Sequence, residues 1–406
     1  MLTRRGRFTL ALGAGTYLGA WAFGAQVLYA PAIGLLLAVG AALIWTNVIA
    51  RPLSLHRQVD RDRPLEGDDV VVRVELEADG GLVPATAILH EPVGTLGERE
   101  VVVARDGRFL RAVYRLSRVP RGRYRFTGAR AVVEDPFGLA QRTQPFADAS
   151  PLLVYPRLAR LNVLFAERGL RAHGAGRILL RRPAGFELHS VREYQSGESL
   201  RRVHWPSTAR RQQLMVKELE DAPRDEIVVV LDAEAGHGSG PPGGSSFDAQ
   251  VRAAGSLLWA HARRGRNARL VVASGMGDEA VSVRNYERDW PRALEILAVA
   301  QQNGGRPVET HLTDQAGATH ARDLAVVTAA LRPPLVETLI ARAVARQQVS
   351  VVYVDAATFA GRRRASVGSE AAILRLESAG IAVAVLRRGD DLEAVLGGTE
   401  SAVAHG

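Results

Sequence analysis

Residues 8–50, FTLALGAGTYLGAWAFGAQVLYAPAIGLLLAVGAALIWTNVIA, contain no Asp, Glu, Lys or Arg. At 1.5 Å of rise per residue this length divides into two spans of roughly 20 residues each. The break falls near Gln26 to Pro31, where a proline suits the first turn of a second helix. Trp21, Tyr29 and Trp45 sit near the expected interfaces, which favour amphipathic rings. Arg4, Arg5 and Arg7 precede the first span, Arg51, Arg57, Arg61 and Arg63 follow the second, and the connecting turn has no cation. The positive-inside rule then predicts a two-pass anchor over residues 1–50 in the cell membrane, with the rest of the chain cytoplasmic. The arginines from Arg51 to Arg63 are the candidates for contact with anionic lipid headgroups. A signal peptide is the competing reading, because TRRGRFTL faintly resembles a twin-arginine leader, but a second apolar span would still follow the cleavage point.

From residue 51 to about 160 the period changes to two. DDVVVRVELEA places Val70, Val72, Val74 and Leu76 on one face and Arg73, Glu75 and Glu77 on the other, as in a half-buried strand. EREVVVA, RFLRAVYRLS and RYRFTGARAVVE repeat the pattern, separated by the turn signals ADGG, RDGR, VPRGR and DPFG. Several short strands in about 100 residues predict an antiparallel β-sandwich. No chemical constellation stands out in it.

After Asp225 the pattern changes again. Five apolar runs, IVVVLD (227–232), RLVVAS (269–274), LAVVTA (324–329), VSVVYVD (349–355) and IAVAVLR (381–387), read as strands buried on both faces. Between them FDAQVRAAGSLLWAHARR, PRALEILAVAQQ, PPLVETLIARAVARQ and EAAILRLESAG read as helices, the last closed by Gly380. Alternating strand and helix over 225–406 predicts a doubly wound α/β domain, whose ligands bind beyond the carboxyl ends of the strands. Those ends offer Asp232, Ser274, Thr328 and Asp355. The stretch AEAGHGSGPPGGSSF after Asp232 lacks the lysine of a phosphate-binding loop and reads as a flexible linker.

Composition adds three exclusions and one focus. The chain of 406 residues has no cysteine, which rules out disulfides, thiolate metal sites and cysteine nucleophiles. The net charge of +9 matches that of one segment, Arg157 to Lys217, which holds thirteen Lys and Arg against four acidic residues. Within the connecting segment 161–224, EYQSGESLRRVHWPSTARRQQLMVKELE concentrates arginines, a tryptophan and the chain's single lysine. Glu193 and Glu198 lie near His189 and His204, but no nucleophile elbow or metal-ligand pair accompanies them, so catalysis is not the favoured reading. Interleaved glutamates and a membrane anchor argue against nucleic acid. In the favoured reading PSTARRQ forms a short helical turn and QLMVKELE a strand beside IVVVLD. Trp205 then buries its ring between two domains, and arginine forks bind Glu193 or Glu198. The same segment presents a partner surface, since arginine and tryptophan are favoured interface anchors.

GFELHSVREYQSGESLRRVHWPSTARRQQLMVKELE resembles the signature of the domain of unknown function fifty-eight family. The match falls on Arg192, Tyr194, Gly197, Arg201, Trp205, Ala209 and Arg210, with Glu198 in place of an aspartate; Glu193 and Arg202 complete the candidate interaction set. EDPFGL (134–139) resembles that family's turn at the end of its β region. The resemblance implies that the last domain is von Willebrand factor A-like. Such domains hold a divalent metal through D-x-S-x-S, where this chain has Asp232, Glu234 and Gly236. With both serines missing, Asp232 and Glu234 are weak metal candidates and no cofactor is expected. The resemblance also implies a partner, a MoxR-type AAA+ ATPase, and a non-enzymatic adaptor or chaperone-like assembly role. The alternative is a metal-dependent binder or enzyme acting on cell-envelope material.

Overall fold

The computed structural model describes residues 1–49, 53–78, 83–161, 188–193, 205–219, 227–274, 279–314, 321, 323–345, 347–361 and 367–397. They divide into two compact units, Met1–Tyr155 and Pro156–Gly406.

The first unit opens with two helices that pack on one another, α1 (Arg4–Phe23) and α2 (Tyr29–Ile49). Gly24 ends α1 in the left-handed conformation at φ +63°, which a glycine adopts without a Cβ clash. At Gly13 a Cβ would meet the Leu35 Cβ at 3.1 Å, so the small residue sets how closely the helices approach. Of the two, the stretch Gln26–Val48 is long and apolar enough to cross a membrane.

Nine strands follow among the described residues. β1 (Leu53–Val59), β2 (Val70–Ala78), β3 (Thr86–Pro92), β4 (Glu98–Asp106), β5 (Phe109–Leu116), β7 (Arg130–Glu134) and β8 (Gln141–Pro145) form one antiparallel sheet in the order β1-β2-β5-β4-β3-β7-β8. β6 (Gly122–Phe126) and β9 (Ser150–Val154) form a separate antiparallel ribbon. The alternation read in the sequence holds: Val70, Val72, Val74 and Leu76 are buried in a core shared with Leu89, Leu110, Phe126, Leu152 and Val154. The expected sandwich is therefore lopsided. Seven strands make one layer, and the residues facing them come from a ribbon of two five-residue strands.

The lipid role expected of Arg57 is overturned. Its side chain is 1% exposed and its guanidinium lies 2.5 Å from the fully buried carboxylate of Glu91. Arg57 also donates to Asp148 at 2.9 Å and Ser150 at 2.8 Å, and stacks 4.5 Å from the Phe126 ring centre. Tyr114 donates its hydroxyl to Glu91. A buried carboxylate requires such partners, and β1 places Arg57 on the same side as Leu53 and Leu55. Arg61 pairs with Asp68 at 2.7 Å, and Arg51 lies outside the described residues.

In the second unit, β12 (Ile227–Asp232), β13 (Ala268–Ala273), β15 (Asp323–Thr328), β16 (Gln348–Val354) and β17 (Ala382–Leu386) are the five apolar runs, and all are parallel. One further strand, β14 (Glu279–Val283), joins antiparallel at the edge, giving the order β14-β13-β12-β15-β16-β17. It was not foreseen because only Val281 and Val283 of its five residues are buried. Val229 and Leu231 of β12 face a core with α4 (Ser246–Ala262) and α5 (Tyr286–Val299). Val228 and Val230 face the opposite core with α6 (Val308–Asp314), α7 (Pro333–Val344) and α9 (Val367–Ser378). Helices on both faces explain the unbroken apolar runs. The smaller helices are α8 (Ala356–Phe359) and α10 (Leu392–Gly397).

The Gly-rich stretch after Asp232 is not a loose linker. Ser245 and Asp248 form a capping box on α4, Gly243 donates to the Asp248 carboxylate at 2.7 Å, and Ser239 and Ser246 are hydrogen-bonded in both directions. The serines and the aspartate hold a compact loop against the helix start.

Candidate functional site

The chain leaves β12 for β13 on one side and later returns to lay β15 on the other, both parallel to β12, so the crevice at the carboxyl ends of β12 and β15 is the switch point of the sheet. There the last residues of the two strands meet. The Thr328 hydroxyl donates to Asp232 Oδ2 at 2.6 Å, and the Glu234 amide donates to Oδ1 at 3.0 Å. Both side chains are buried. Burial pushes the Asp232 carboxyl above its ordinary value, with the Thr328 hydrogen bond opposing the shift.

One turn further out, Arg332 grips Glu234 with both arms of its guanidinium, at 3.0 Å and 2.5 Å, and reaches Glu309 on α6 at 3.1 Å. His237 Nε2 lies 3.8 Å from Glu234. The main chain holds this ring in place: Gly304 donates to the Ala233 carbonyl at 2.8 Å and accepts from the Ala235 amide at 2.9 Å. Gly304 has to be glycine, since a Cβ there would stand 2.9 Å from the Ala233 carbonyl oxygen. Arg332 is also the N-cap of α7, four residues beyond Thr328, with Pro333 starting the helix.

Asp232, Glu234 and Thr328 were legible in the sequence; Arg332, Glu309 and His237 were not. The available signal was LRPP, a cation fixed at a helix start immediately beyond a strand end. Asp355 serves a different purpose, capping α8 through the Ala357 amide at 3.2 Å. The donor set does not fit the divalent ion that the resemblance read in the sequence implied. Both Glu234 oxygens are bound by Arg332, both Asp232 oxygens accept protein hydrogen bonds, and Gly236 brings no oxygen from a side chain.

The Arg/Trp signature is described in three pieces. β10 (Leu188–Glu193) pairs antiparallel with β11 (Met215–Leu219), placing Arg192 opposite Val216 and Glu193 opposite Met215. The strand expected beside β12 thus pairs with β10 instead, closing the signature into its own ribbon. Between them α3 (Trp205–Arg211) is tied to the start of β11 by the Thr208 hydroxyl, which accepts from the Met215 amide at 3.0 Å. Trp205 is 66% exposed among the described residues, and Ala209, Arg210 and Arg211 are exposed with it. Tyr194, Gly197, Glu198, Arg201 and Arg202 lie outside the described residues.

Residues 190–357 match the family described as Protein of unknown function DUF58, in agreement with the resemblance read from the signature. The match takes in β11, α3, Asp232, Glu234, Thr328 and Arg332 together. A relative, the "Uncharacterized protein YeaD" of Bacillus subtilis (strain 168), is 26% identical over 295 residues, spanning 69% of this chain and 71% of its own. Two solved structures align weakly, each with a TM-score of 0.20. One is the CARDB domain of a Pyrococcus furiosus protein in complex with di-metal ions, at 11% identity over 26% of this chain and 92% of that one. The other is Cwp6 from Clostridium difficile, at 7% identity over 83% of this chain and 37% of that one.

Proposed function

We propose that the chain is a two-pass membrane protein with cytoplasmic soluble units that works as a non-enzymatic adaptor, or chaperone-like assembly factor, for a MoxR-type AAA+ ATPase. The observation that carries a docking role is the exposed indole of Trp205 beside Arg210 and Arg211, on a helix held in place by the β11 start. Arginine and tryptophan in that setting are the residue types that anchor interfaces. The strand order, with Asp232 and Thr328 together at the switch point, supports a von Willebrand A-like reading of the second unit. Commitment of Glu234 to Arg332 supports a binding edge rather than a catalytic one. The membrane assignment rests on the apolar stretch Gln26–Val48, together with the uncharged course of α1 beyond Arg7. The identity of the ATPase follows from the family resemblance.

Affinity capture from native membranes tests the reading, with and without ATP, comparing wild type with Trp205→Ala and Arg210→Ala. The expected result is an AAA+ ATPase retained by wild type and lost by the Trp205→Ala protein. Absence of any such ATPase under both nucleotide conditions overturns it. The rival is a metal-dependent binder or enzyme acting on cell-envelope material, and it would need the Asp232 carboxylate to exchange its bonds to Thr328 and the Glu234 amide for an ion. That rival requires Mg²⁺ or Ca²⁺ binding that Asp232→Ala abolishes.

A further inference from the structure

The turn Asp135–Ala140, between β7 and β8, is built more firmly than a connection needs. Asp135 is buried and its carboxylate accepts from the Phe137 amide at 2.9 Å and the Ala140 amide at 2.5 Å. Gly138 closes the turn at φ +66°, donating to the Asp135 carbonyl at 2.9 Å. This cage leaves Phe137 at the tip, 76% exposed.

The main chain before α1 is laid along the same turn. Thr3 donates to the Leu139 carbonyl at 3.0 Å, Gln141 donates to the Met1 carbonyl at 2.8 Å, and Leu2 bridges Ala140. The Thr3 hydroxyl donates to the Gly138 carbonyl at 2.6 Å and accepts from Gly6, capping α1. Gly6 itself is packed on the Leu139 carbonyl, where a Cβ would overlap it. The chain leaving α2 is held by the same hairpin: the Gln144 side chain accepts from the Leu53 amide at 3.0 Å and donates to the Leu53 carbonyl at 2.7 Å. Trp45 packs against the β core. The helices are therefore fixed to the β7–β8 hairpin at both ends rather than tethered to it.

We infer that the Phe137 turn is a lipid-contacting wedge, seated in the headgroup region of an anionic membrane beside the first turn of α1. The inference rests on the membrane reading above. Arg4, Arg5 and Arg7 are exposed on that first turn, and the Arg5 guanidinium stands over Gly138, 3.9 Å from where a Cβ would be. If α1 and α2 cross the bilayer, these arginines lie at headgroup level. Main-chain bonds of about 3 Å then place the turn at the same depth. An aromatic ring flanked by cations is the composition of an interfacial contact.

The chain has no cysteine, so single labelling sites are available without background substitutions. The full-length protein is reconstituted into phosphatidylglycerol-containing vesicles with an environment-sensitive fluorophore at Phe137→Cys. Leu37→Cys, exposed on α2, reports the span, and Val102→Cys, exposed on β4, reports the aqueous face of the sheet. The expected result is shallow-nitroxide lipid quenching at position 137 and several-fold weaker iodide quenching than at 102, with deep-nitroxide quenching at 37. In the Asp135→Ala background, which opens the cage, the shielding at 137 falls. If position 37 lies in lipid and 137 is as open to iodide as 102, the wedge is overturned while the anchor stands. If 37 is itself open to iodide, the membrane reading fails and the wedge falls with it.

Discussion

Arg57 in the first unit and Arg332 in the second each stand between two carboxylates, Glu91 and Asp148 in one case, Glu234 and Glu309 in the other. The chemistry is nearly the same and the setting is not. Arg57 and Glu91 are buried in a β core, where Tyr114 bonds Glu91, Ser150 bonds Arg57 and the Phe126 ring lies against the guanidinium. Arg332 is 31% exposed at the edge where a doubly wound sheet offers its crevice. An ion pair closed on all sides can only hold its surroundings in register. One at a strand-end crevice also determines which ligands can approach. The position of the pair in the fold, rather than its composition, separates structural from functional candidates.

The largest effect is expected where the seal is complete. Arg57→Met leaves Glu91 charged and unpaired in the core, at a cost of roughly 3–5 kcal/mol. Denaturant unfolding of the first unit, followed by hydrogen exchange, measures it. A loss under about 1 kcal/mol would mean that water reaches Glu91 and that the contrast with Arg332 is one of degree.

Acid separates the two units next. His261 is buried on α4, its Nδ1 lacks a hydrogen-bond partner, and burial, aided by Arg266 and Arg264, lowers its pKa to about 4. A histidine held below its ordinary value leaves stability intact above pH 6.5 and removes it as pH falls toward 4, by up to about 3 kcal/mol. Asp232 acts in the opposite sense: its raised carboxyl makes the fold gain as pH falls toward its folded value. Hydrogen-exchange protection in the second unit, corrected for the pH dependence of intrinsic amide exchange, should therefore fall between pH 6.5 and 4, and His261→Leu should flatten the slope. A slope unchanged in that variant assigns the acid loss elsewhere.

These contrasts were only partly legible beforehand. Periodicity gave the strand faces and five of the six strands in the second sheet, because burial on one or both faces writes itself into spacing. It did not give β14, whose edge position demands few apolar residues. Nor did it give the partners of any arginine. Arg57 reads as one of a juxtamembrane group of cations, and only the pairing of β1 with β2 turns it inward. Arg332 and Glu309 are 98 and 75 residues from Glu234, a proximity that strand order creates and spacing cannot show. Trp205 is a further case: an indole suggests burial, while among the described residues its ring is largely exposed.

Arg332→Ala is expected to cost less than the β-unit substitution, about 1–2 kcal/mol, because solvent already screens the pair. Its more informative consequence is chemical. Freeing Glu234 beside Asp232 restores two carboxylates at the switch point, and Mg²⁺ affinity on the order of 10⁻³ M should become measurable by calorimetry. Saturable Mg²⁺ binding by the wild type at the same concentrations would show that the guanidinium yields to a metal, and would return the cell-envelope enzyme reading to first place.

The smallest stability effect belongs to Trp205→Ala. Two-thirds of the side chain is already in water, so truncation removes little buried apolar area, and unfolding should change by less than about 0.5 kcal/mol. A loss well above 1 kcal/mol would show that the ring braces the second unit and that its exposure overstates its freedom. A stable variant that no longer retains the ATPase places the indole in the interface, since removing a ring the fold does not use leaves only the partner to register its absence. A stable variant that retains the ATPase moves the docking surface off α3. The arginines Arg210 and Arg211 would go with it, because the same seven residues present all three side chains.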